Sequence, residues 1–280
     1  MILHCGRHAL DLSRPRVMGI LNVTPDSFAD GGRYLAPAAA LEQAWRMVEE
    51  GAAIVDVGGE STRPGAAPVG EDEELRRVLP VIGRLAAELP VPVSVDSSKP
   101  GVMRAAILAG ATMINDVQAL RQPGALEVAA AVGVPVVLMH MQGEPRDMQN
   151  DPRYGDVTAE VLGFLRQRIV ACEQVGIPRG RLLVDPGFGF GKTLAHNLEL
   201  LRRLGEFQSL GVPVLAGLSR KRMIGALLGD VPVEARLQGS VAAALLAAER
   251  GARLLRVHDV GPTTEALAVL HAVSHATITP

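Results

Sequence analysis

Eight times along this chain a short apolar run ends in a polar side chain and then breaks into a turn, and that recurrence restricts the fold more than any other feature. The clearest instance is Arg181-Leu-Leu-Val-Asp-Pro-Gly-Phe-Gly-Phe-Gly-Lys-Thr193. Leu182, Leu183 and Val184 are too few for a helix and read as a buried strand with Asp185 displayed at its end. Pro186 has no N–H for a ladder, so the strand stops there. Gly187, Gly189 and Gly191 open backbone angles closed to other residues, which gives a tight loop able to approach a flat ligand closely. Two other readings compete. Gly191-Lys-Thr193 is the last half of a phosphate-cradling loop, but that pattern needs a glycine five residues before Gly191, where Pro186 stands. A strand-terminating turn with Asp185 capping a helix fits the stretch taken alone; the repetition of the design elsewhere weighs against it.

The run ends fall at Asn22, Asp56, Asp96, Asn115, His140, Asp185, Ser219 and His258. Their average spacing is about 34 residues, against about 31 per unit in an eightfold barrel of roughly 250 residues. Helical spacing fills the intervals at 37–50, 71–88, from Pro100, 158–174, 196–207, in two pieces up to Arg250, and at 262–274. The acids at the start of 71–88 sit where a helix dipole favours them. The expected fold is α/β, a (β/α)8 TIM barrel in one domain spanning 1–280, with residues 1–16 as a short N-terminal addition, read as a short hairpin over the barrel bottom. A doubly wound sheet also alternates, yet it shows a glycine fingerprint after its first strand, where this chain has Asn22-Val-Thr-Pro. In a barrel the strand C-termini converge on one mouth. Asn22, Asp96, Asn115, Asp185, Lys221, Arg256 and His258 would then face a single cavity.

Charge narrows the ligand class. The net charge is -2 and the isoelectric point about 6.4, so neither nucleic acid nor an anionic membrane surface has an electrostatic footprint here. Small-molecule chemistry is the remaining business. No stretch approaches the roughly 20 apolar residues of a membrane span, and the N-terminus does not read as a signal peptide. Cys5 and Cys172 stand far apart with no CxxC partner, which fits a reducing cytosol, implies a cytoplasmic protein and excludes a cysteine zinc site. Of the 28 basic residues only Lys99, Lys192 and Lys221 are lysines, all in loops that follow strands.

Two carboxylates, an amide and a lysine suit a flat heterocycle with amino and lactam groups, since a carboxylate matches adjacent N–H donors and an ammonium matches O and N acceptors. Guanine-like and pterin-like edges both fit. Arg256 and His258 are two apart on one strand and share a face, so with Asn22 they form a candidate anion or metal-phosphate subsite. The loops 22–32 and 61–69 are rich in Gly, Pro, Asp, Ser and Thr and hold little that could anchor them. They are expected to be mobile. Phe28, the large apolar residue of the first, is expected to act as a lid over a second, aromatic substrate.

Five stretches, Asn22-Val-Thr-Pro-Asp-Ser-Phe28, Gly58-Gly-Glu-Ser-Thr-Arg-Pro-Gly65, Asp185-Pro-Gly-Phe-Gly-Phe-Gly-Lys192, Ser219-Arg-Lys-Arg222 and Arg256-Val-His-Asp259, together resemble the dihydropteroate synthases over about residues 17–275. The resemblance implies an enzyme joining 6-hydroxymethyl-7,8-dihydropterin diphosphate to 4-aminobenzoate with release of pyrophosphate, with magnesium as cofactor and a homodimer as the assembly. It implies a pterin site of Asp96, Asn115, Met139, Asp185 and Lys221. Asn22, Arg63, Arg256 and His258 would meet the diphosphate, Asn22 also the metal, and Phe28, Thr62, Pro64 and Ser219 the aminobenzoate. Asp96, Asp185, Lys221 and Arg256 would carry the chemistry. The chain departs from the family pattern at Gln118-Ala-Leu120, Ala29 and Asp147. Other readings are a pterin-binding methyltransferase module, a non-catalytic pterin-binding homologue, and a Schiff-base aldolase using Lys221.

Overall fold

The computed structural model describes residues 1–24, 36–62 and 65–274. The chain begins with an antiparallel hairpin, β1 (Ile2–Cys5) and β2 (His8–Asp11). Eight parallel strands follow: β3 (Arg16–Asn22), β4 (Ile54–Gly58), β5 (Val93–Asp96), β6 (Met113–Asp116), β7 (Val136–Met139), β8 (Leu182–Asp185), β9 (Val214–Ala216) and β10 (Ala252–Val257). They pair in chain order, and β10 closes on β3 to complete the barrel. Between them run α1 (Ala36–Glu49), α2 (Glu71–Glu88), α3 (Pro100–Leu108), α4 (Ala125–Val132), α5 (Val157–Gln174), α6 (Leu194–Arg202), α7 (Arg222–Leu227) and α8 (Leu237–Glu249), with α9 (Val260–Ser274) last.

The twofold alternation of a strand sorts its side chains between two cores. Val17, Leu21, Val55, Val57, Val93 and Val95 face outward into the main core beneath the helices. Their neighbours Met18, Ile54, Met113, Val137, Leu183, Leu215 and Leu254 face inward and form a separate buried cluster with Leu3, Cys5, Leu10 and Leu12 of the hairpin segment. The N-terminal addition is therefore a plug of hydrocarbon across the bottom of the barrel. Two residues further along the same strands stand Asp56, Asn115, Met139, Asp185, Gly217 and Arg256. The step from one inward position to the next carries each strand from the sealed end to the polar mouth.

Local chemistry moves some boundaries. The sixth helix, expected over 196–207, runs instead as α6 and continues as a 3-10 stretch over Leu204–Leu210. Its start is fixed earlier because the Thr193 hydroxyl and the His196 ring form a capping box. The helix α4 has no counterpart in the sequence reading; its eight residues are mostly alanine and valine and carry little helical periodicity.

The departure at Gln118-Ala-Leu120 has a structural consequence. Ala119 and Leu120 both occupy the left-handed region, at φ 54 and 56. That conformation costs a non-glycine residue about 1–2 kcal/mol. Asp116 holds the turn from one side: its Oδ1 accepts from Gln118 N at 2.8 Å and its Oδ2 from Leu120 N at 2.7 Å. Arg168 of α5 holds it from the other, donating to Ala119 O at 2.8 Å and Leu120 O at 3.1 Å. Arg168→Ala should consequently destabilise the fold by about 2–3 kcal/mol, the range for charged hydrogen bonds lost from a part-buried site. Arg166→Ala, at an exposed position on the same helix, should leave chemical denaturation within about 0.5 kcal/mol of wild type. Equal midpoints for the two variants would show that the turn holds itself.

Candidate active site

At the centre of the mouth one guanidinium serves two acids. Arg256 Nε lies 2.6 Å from Asp56 Oδ2, and Arg256 Nη2 lies 2.6 Å from Asp96 Oδ2. Asp56 is fully buried, and its Oδ2 also accepts from Asn115 Nδ2 at 3.0 Å. Three strands besides that of Arg256 are thereby tied to one cation. Burial works against the charge of Arg256, but Asp56 and Asp96 more than offset it and hold its pKa above the ordinary arginine value. Burial also pushes the Asp96 carboxyl up to about 7, against the pull of Arg256 and with the push of Asp56. Because the Asn115 nitrogen is committed to Asp56, its amide oxygen is the atom left to accept from a ligand.

Asp185 sits at the end of β8 as its sequence context predicts, and its Oδ1 accepts from Gly187 N at 2.7 Å. Burial raises its pKa, opposed first by Lys221. The glycines after it are needed for close approach: Gly187 has φ 71, and a Cβ there would collide with the His140 carbonyl. Lys192 then knots the loop. Its Nζ donates to Gly187 O and Phe190 O, each at 3.0 Å, and meets His140 Nδ1 at 2.9 Å. Burial, assisted by Lys192, pushes His140 down to about 2, so its ring is neutral and can accept that bond. With its Nζ turned inward and the residue 2 % exposed, Lys192 binds its own loop and does not read phosphate; burial lowers its pKa well below the ordinary lysine value. Nor does Asp185 cap a helix; Thr193 does.

Lys221 approaches from the other side. The residue before it, Arg220, is left-handed at φ 57 and is fixed there by a two-point ion pair to Asp259, at 3.0 and 2.5 Å, and by Ser240 Oγ at 2.9 Å on its N–H. This kink turns Lys221 into the mouth, where its Nζ donates to Phe188 O and stands 4.5 Å from the centre of the Phe190 ring. Burial lowers its pKa to about 8, against the pull of Asp185. Gly217 lies between these groups: a Cβ built on it would be 3.8 Å from Asp185 Oδ2, 3.9 Å from Arg256 Cβ and 4.0 Å from Lys221 Nζ. The missing side chain leaves the shared floor of the site flat.

The remaining predicted residues fall around this centre. Asn22 and Asp96 converge over Gly58, where a Cβ would be 3.9 Å from Asn22 Oδ1 and 3.6 Å from Asp96 Oδ2. Ser219 Oγ accepts from His258 N at 3.1 Å and lies 3.1 Å from His258 Nδ1, which couples the ends of β9 and β10. Met139 is buried beside Val117, Met141 and Met148, with Phe190 packed on them. Thr62 is half-buried on the connection after β4. Phe28, Arg63, Pro64 and the departure at Ala29 lie outside the described residues. Asp147, the third departure, accepts from Glu144 N at 3.0 Å and closes a turn in the β7–α5 connection. Sequence reasoning named Asp56 only as a strand end and did not see its part in the site. The signal was present: an acid two residues before Gly58 on an otherwise apolar strand has the same inward parity as the mouth residues.

The geometry agrees with comparisons to known proteins. The family described as pterin binding enzyme matches residues 18–258. The dihydropteroate synthase of Escherichia coli (strain K12) is 55% identical over 268 residues, 96% of this chain and 95% of that protein. That of Haemophilus influenzae is 51% identical over 276 residues, 99% and 100% of the two chains. Among solved structures, Xanthomonas albilineans dihydropteroate synthase with 4-aminobenzoic acid superposes with a TM-score of 0.94 at 60% identity, covering 98% of each chain. The same enzyme in complex with 7,8-dihydropteroate gives 0.91 at 57%, covering 99% and 100%. With a closed barrel, a polar mouth and this degree of identity along nearly its whole length, the chain belongs to the pterin-binding enzymes and, among them, to the dihydropteroate synthases.

Proposed function

We propose that the barrel mouth joins 6-hydroxymethyl-7,8-dihydropterin diphosphate to 4-aminobenzoate, giving 7,8-dihydropteroate and pyrophosphate for folate biosynthesis. The observation that carries this reading is the pairing of Asp185 and Lys221 across the side-chain-free floor at Gly217, beside the Asn115 amide and Asp96. A pterin presents adjacent N–H donors on one edge and O and N acceptors on another. Asp185 suits the first, Lys221 the second, Asp96 and the Asn115 amide oxygen suit further N–H groups, and Met139 packs near the ring. The lowered pKa of Lys221 would also suit a Schiff-base aldolase, but the relatives named above are synthases that match almost the whole chain. They weigh equally against a methyltransferase module.

The chain's own residues account for the reaction. Loss of pyrophosphate from the methylene leaves positive charge on an electron-rich ring, and the carboxylates of Asp96 and Asp185 oppose it. Arg256 has Nε and Nη2 committed to Asp56 and Asp96, so Nη1 is the nitrogen that meets the departing diphosphate. His258, Asn22 and Arg63 complete that subsite, while Ser219, Thr62, Phe28 and Pro64 surround the aminobenzoate. An aromatic amine is weakly basic and attacks without a strong general base. None is assigned.

Magnesium fits this donor set. Among the described residues no group of three or more His, Cys, Asp or Glu could hold a metal ion. Magnesium does not require one, because it keeps its waters and takes one or two protein oxygens together with substrate phosphates. The Asn22 amide oxygen, facing the same space as Asp96, is the protein oxygen we assign to it. When bound, the ion supplies charge neutralisation on the leaving pyrophosphate. The reading extends to a cytoplasmic homodimer: Cys5 and Cys172 are both free and buried, as suits a reducing compartment, and Leu246, Val269 and Val273 expose apolar surface on α8 and α9.

Mixing the protein with the two substrates should release pyrophosphate in step with 7,8-dihydropteroate. Binding of both without release would leave a non-catalytic pterin-binding homologue. The pH dependence of pterin affinity follows from two groups. The ionised Asp96 accepts N–H donors more strongly than the neutral acid does, and without ligand its carboxyl titrates near 7, so binding below that pH is opposed by the loss of a proton. Affinity should fall as pH drops through about 7, approaching tenfold per unit. It should also fall above about 8, where Lys221 loses its charge. Calorimetry on Asp96→Asn should show weaker binding with the acid limb gone; an unchanged limb would assign that titration to another group.

A further inference from the structure

Lys99, the third lysine, joins two acids outside the pterin site. Its Nζ lies 2.6 Å from Glu60 Oε2 and 2.5 Å from Glu74 Oε2. Glu74 is fully buried on α2, Lys99 is the residue at the start of α3, and Glu60 stands two residues past β4. Burial works against the charge on Lys99, and its bonds to Glu60 and Glu74 hold its pKa above the ordinary lysine value. The second oxygen of Glu60 has a different task. Oε1 accepts from Val69 N at 2.8 Å, so one carboxylate grips both ends of the connection that carries Ser61 and Thr62.

The sequence suggested that this connection lacked anchors, and the structure corrects that. Besides the Glu60 clasp, Arg77 Nη1 donates to Gly59 O at 2.9 Å, and Gly65 N reaches Pro145 O at 3.2 Å on the β7–α5 connection. A Cβ on Gly59 would be 2.7 Å from Val78 Cγ1 and 3.0 Å from Glu74 Cγ, so the base of the connection lies flat on α2. Closed loops of this length are usually held by packing of their own side chains. Ser61, Thr62, Gly65 and Ala66 have little to pack, and a polar clasp takes over that role. Two acids on one half-buried lysine are a poor device for stability alone, because desolvation, complete for Glu74, offsets much of the attraction. Their geometry specifies where the loop's ends lie.

We propose that Glu60, held by Lys99 and Glu74, is the positioning residue of the aminobenzoate subsite and fixes the stretch on which Thr62 stands. This rests on the reading that places 4-aminobenzoate beside Thr62. Glu60→Gln keeps an acceptor for Val69 N and removes the charge that Lys99 grips. Lys99→Met alone strands Glu74 as a buried uncompensated charge and risks unfolding, so Lys99→Met/Glu74→Gln, which removes both charges together, is the second variant. Each should raise the KM for 4-aminobenzoate about fivefold or more, with kcat within about twofold. Calorimetric affinity for the pterin diphosphate should not change, and Lys99→Arg should recover most of the KM. A lowered melting temperature with the aminobenzoate KM unmoved would make the cluster merely structural and overturn the proposal. Thr62→Val separates the two layers of inference. If it raises the aminobenzoate KM while the clasp variants do not, the clasp proposal fails alone; if it has no effect on that KM, the subsite reading fails and the proposal falls with it.

Discussion

The ion pairs of Arg256 with Asp56 and Asp96 are what the polar end of this barrel depends on. Removing three charged side chains from bulk water is unfavourable, and the attraction repays it only when geometry is good and the remaining lone pairs are engaged. Both contacts are 2.6 Å, and Asp56 Oδ2 takes a second bond from Asn115, while the other oxygen of Asp56 is buried without a hydrogen-bond partner among the described residues. One cation serves two acids, so the cluster becomes net negative once Asp96 ionises. Under the proposed reaction that would suit a substrate gaining positive charge as its leaving group departs, with the remaining edge of the guanidinium left for the anion. Opposing demands of one reaction are met within a few ångströms because the acids and the cation lie on different strands at the same height in the barrel.

What allows such a cluster is the separation of the two barrel ends. At the bottom, seven inward apolar side chains and the hairpin exclude water, and the helices bury the outer faces of the strands. The mouth is consequently free to carry strain. Ala119, Leu120 and Arg220 all adopt left-handed backbone within connections that follow strands, and each turn is held by neighbouring charges: Asp116 and Arg168 for the first two, Asp259 for the third. Lys192 does the same for the glycine-rich loop through the hydrogen bonds of its Nζ, although burial lowers its pKa well below the ordinary lysine value. Loops with few apolar residues are kept in shape here by buried or half-buried polar side chains.

The barrel was legible in the sequence because its two periods are written locally: strand parity within a few residues, and a repeated strand, turn and helix along the chain. Asp185, Asp96 and Asn115 could be read for the same reason, each standing at the end of an apolar run. Asp56 was read as a run end too, but not as part of the site. It lies one inward step below the strand end, and its role appears only when Arg256, distant in sequence, closes the barrel beside it. Lys99 and Glu74 escaped for a related reason, since an acid in the first turn of a helix looks like dipole complement until the fold brings a lysine against it. Lys192 sits in half of a phosphate-loop motif, a reading that Pro186 already opposed, and its burial agrees, since it binds carbonyls of its own loop.

The claim that the mouth works as one charge-coupled unit is tested most directly by a double-mutant cycle on pterin affinity. Asp56→Asn and Arg256→Gln would be measured singly and together by calorimetry at neutral pH. Coupled residues in one hydrogen-bonded network show interaction energies of about 0.5–3 kcal/mol. A coupling energy within that range is the predicted result, because removing either partner disorders the Asn115 and Asp96 side chains that the other holds. Single effects that simply add would contradict it, and would mean that Asp56 and Arg256 act on the ligand independently.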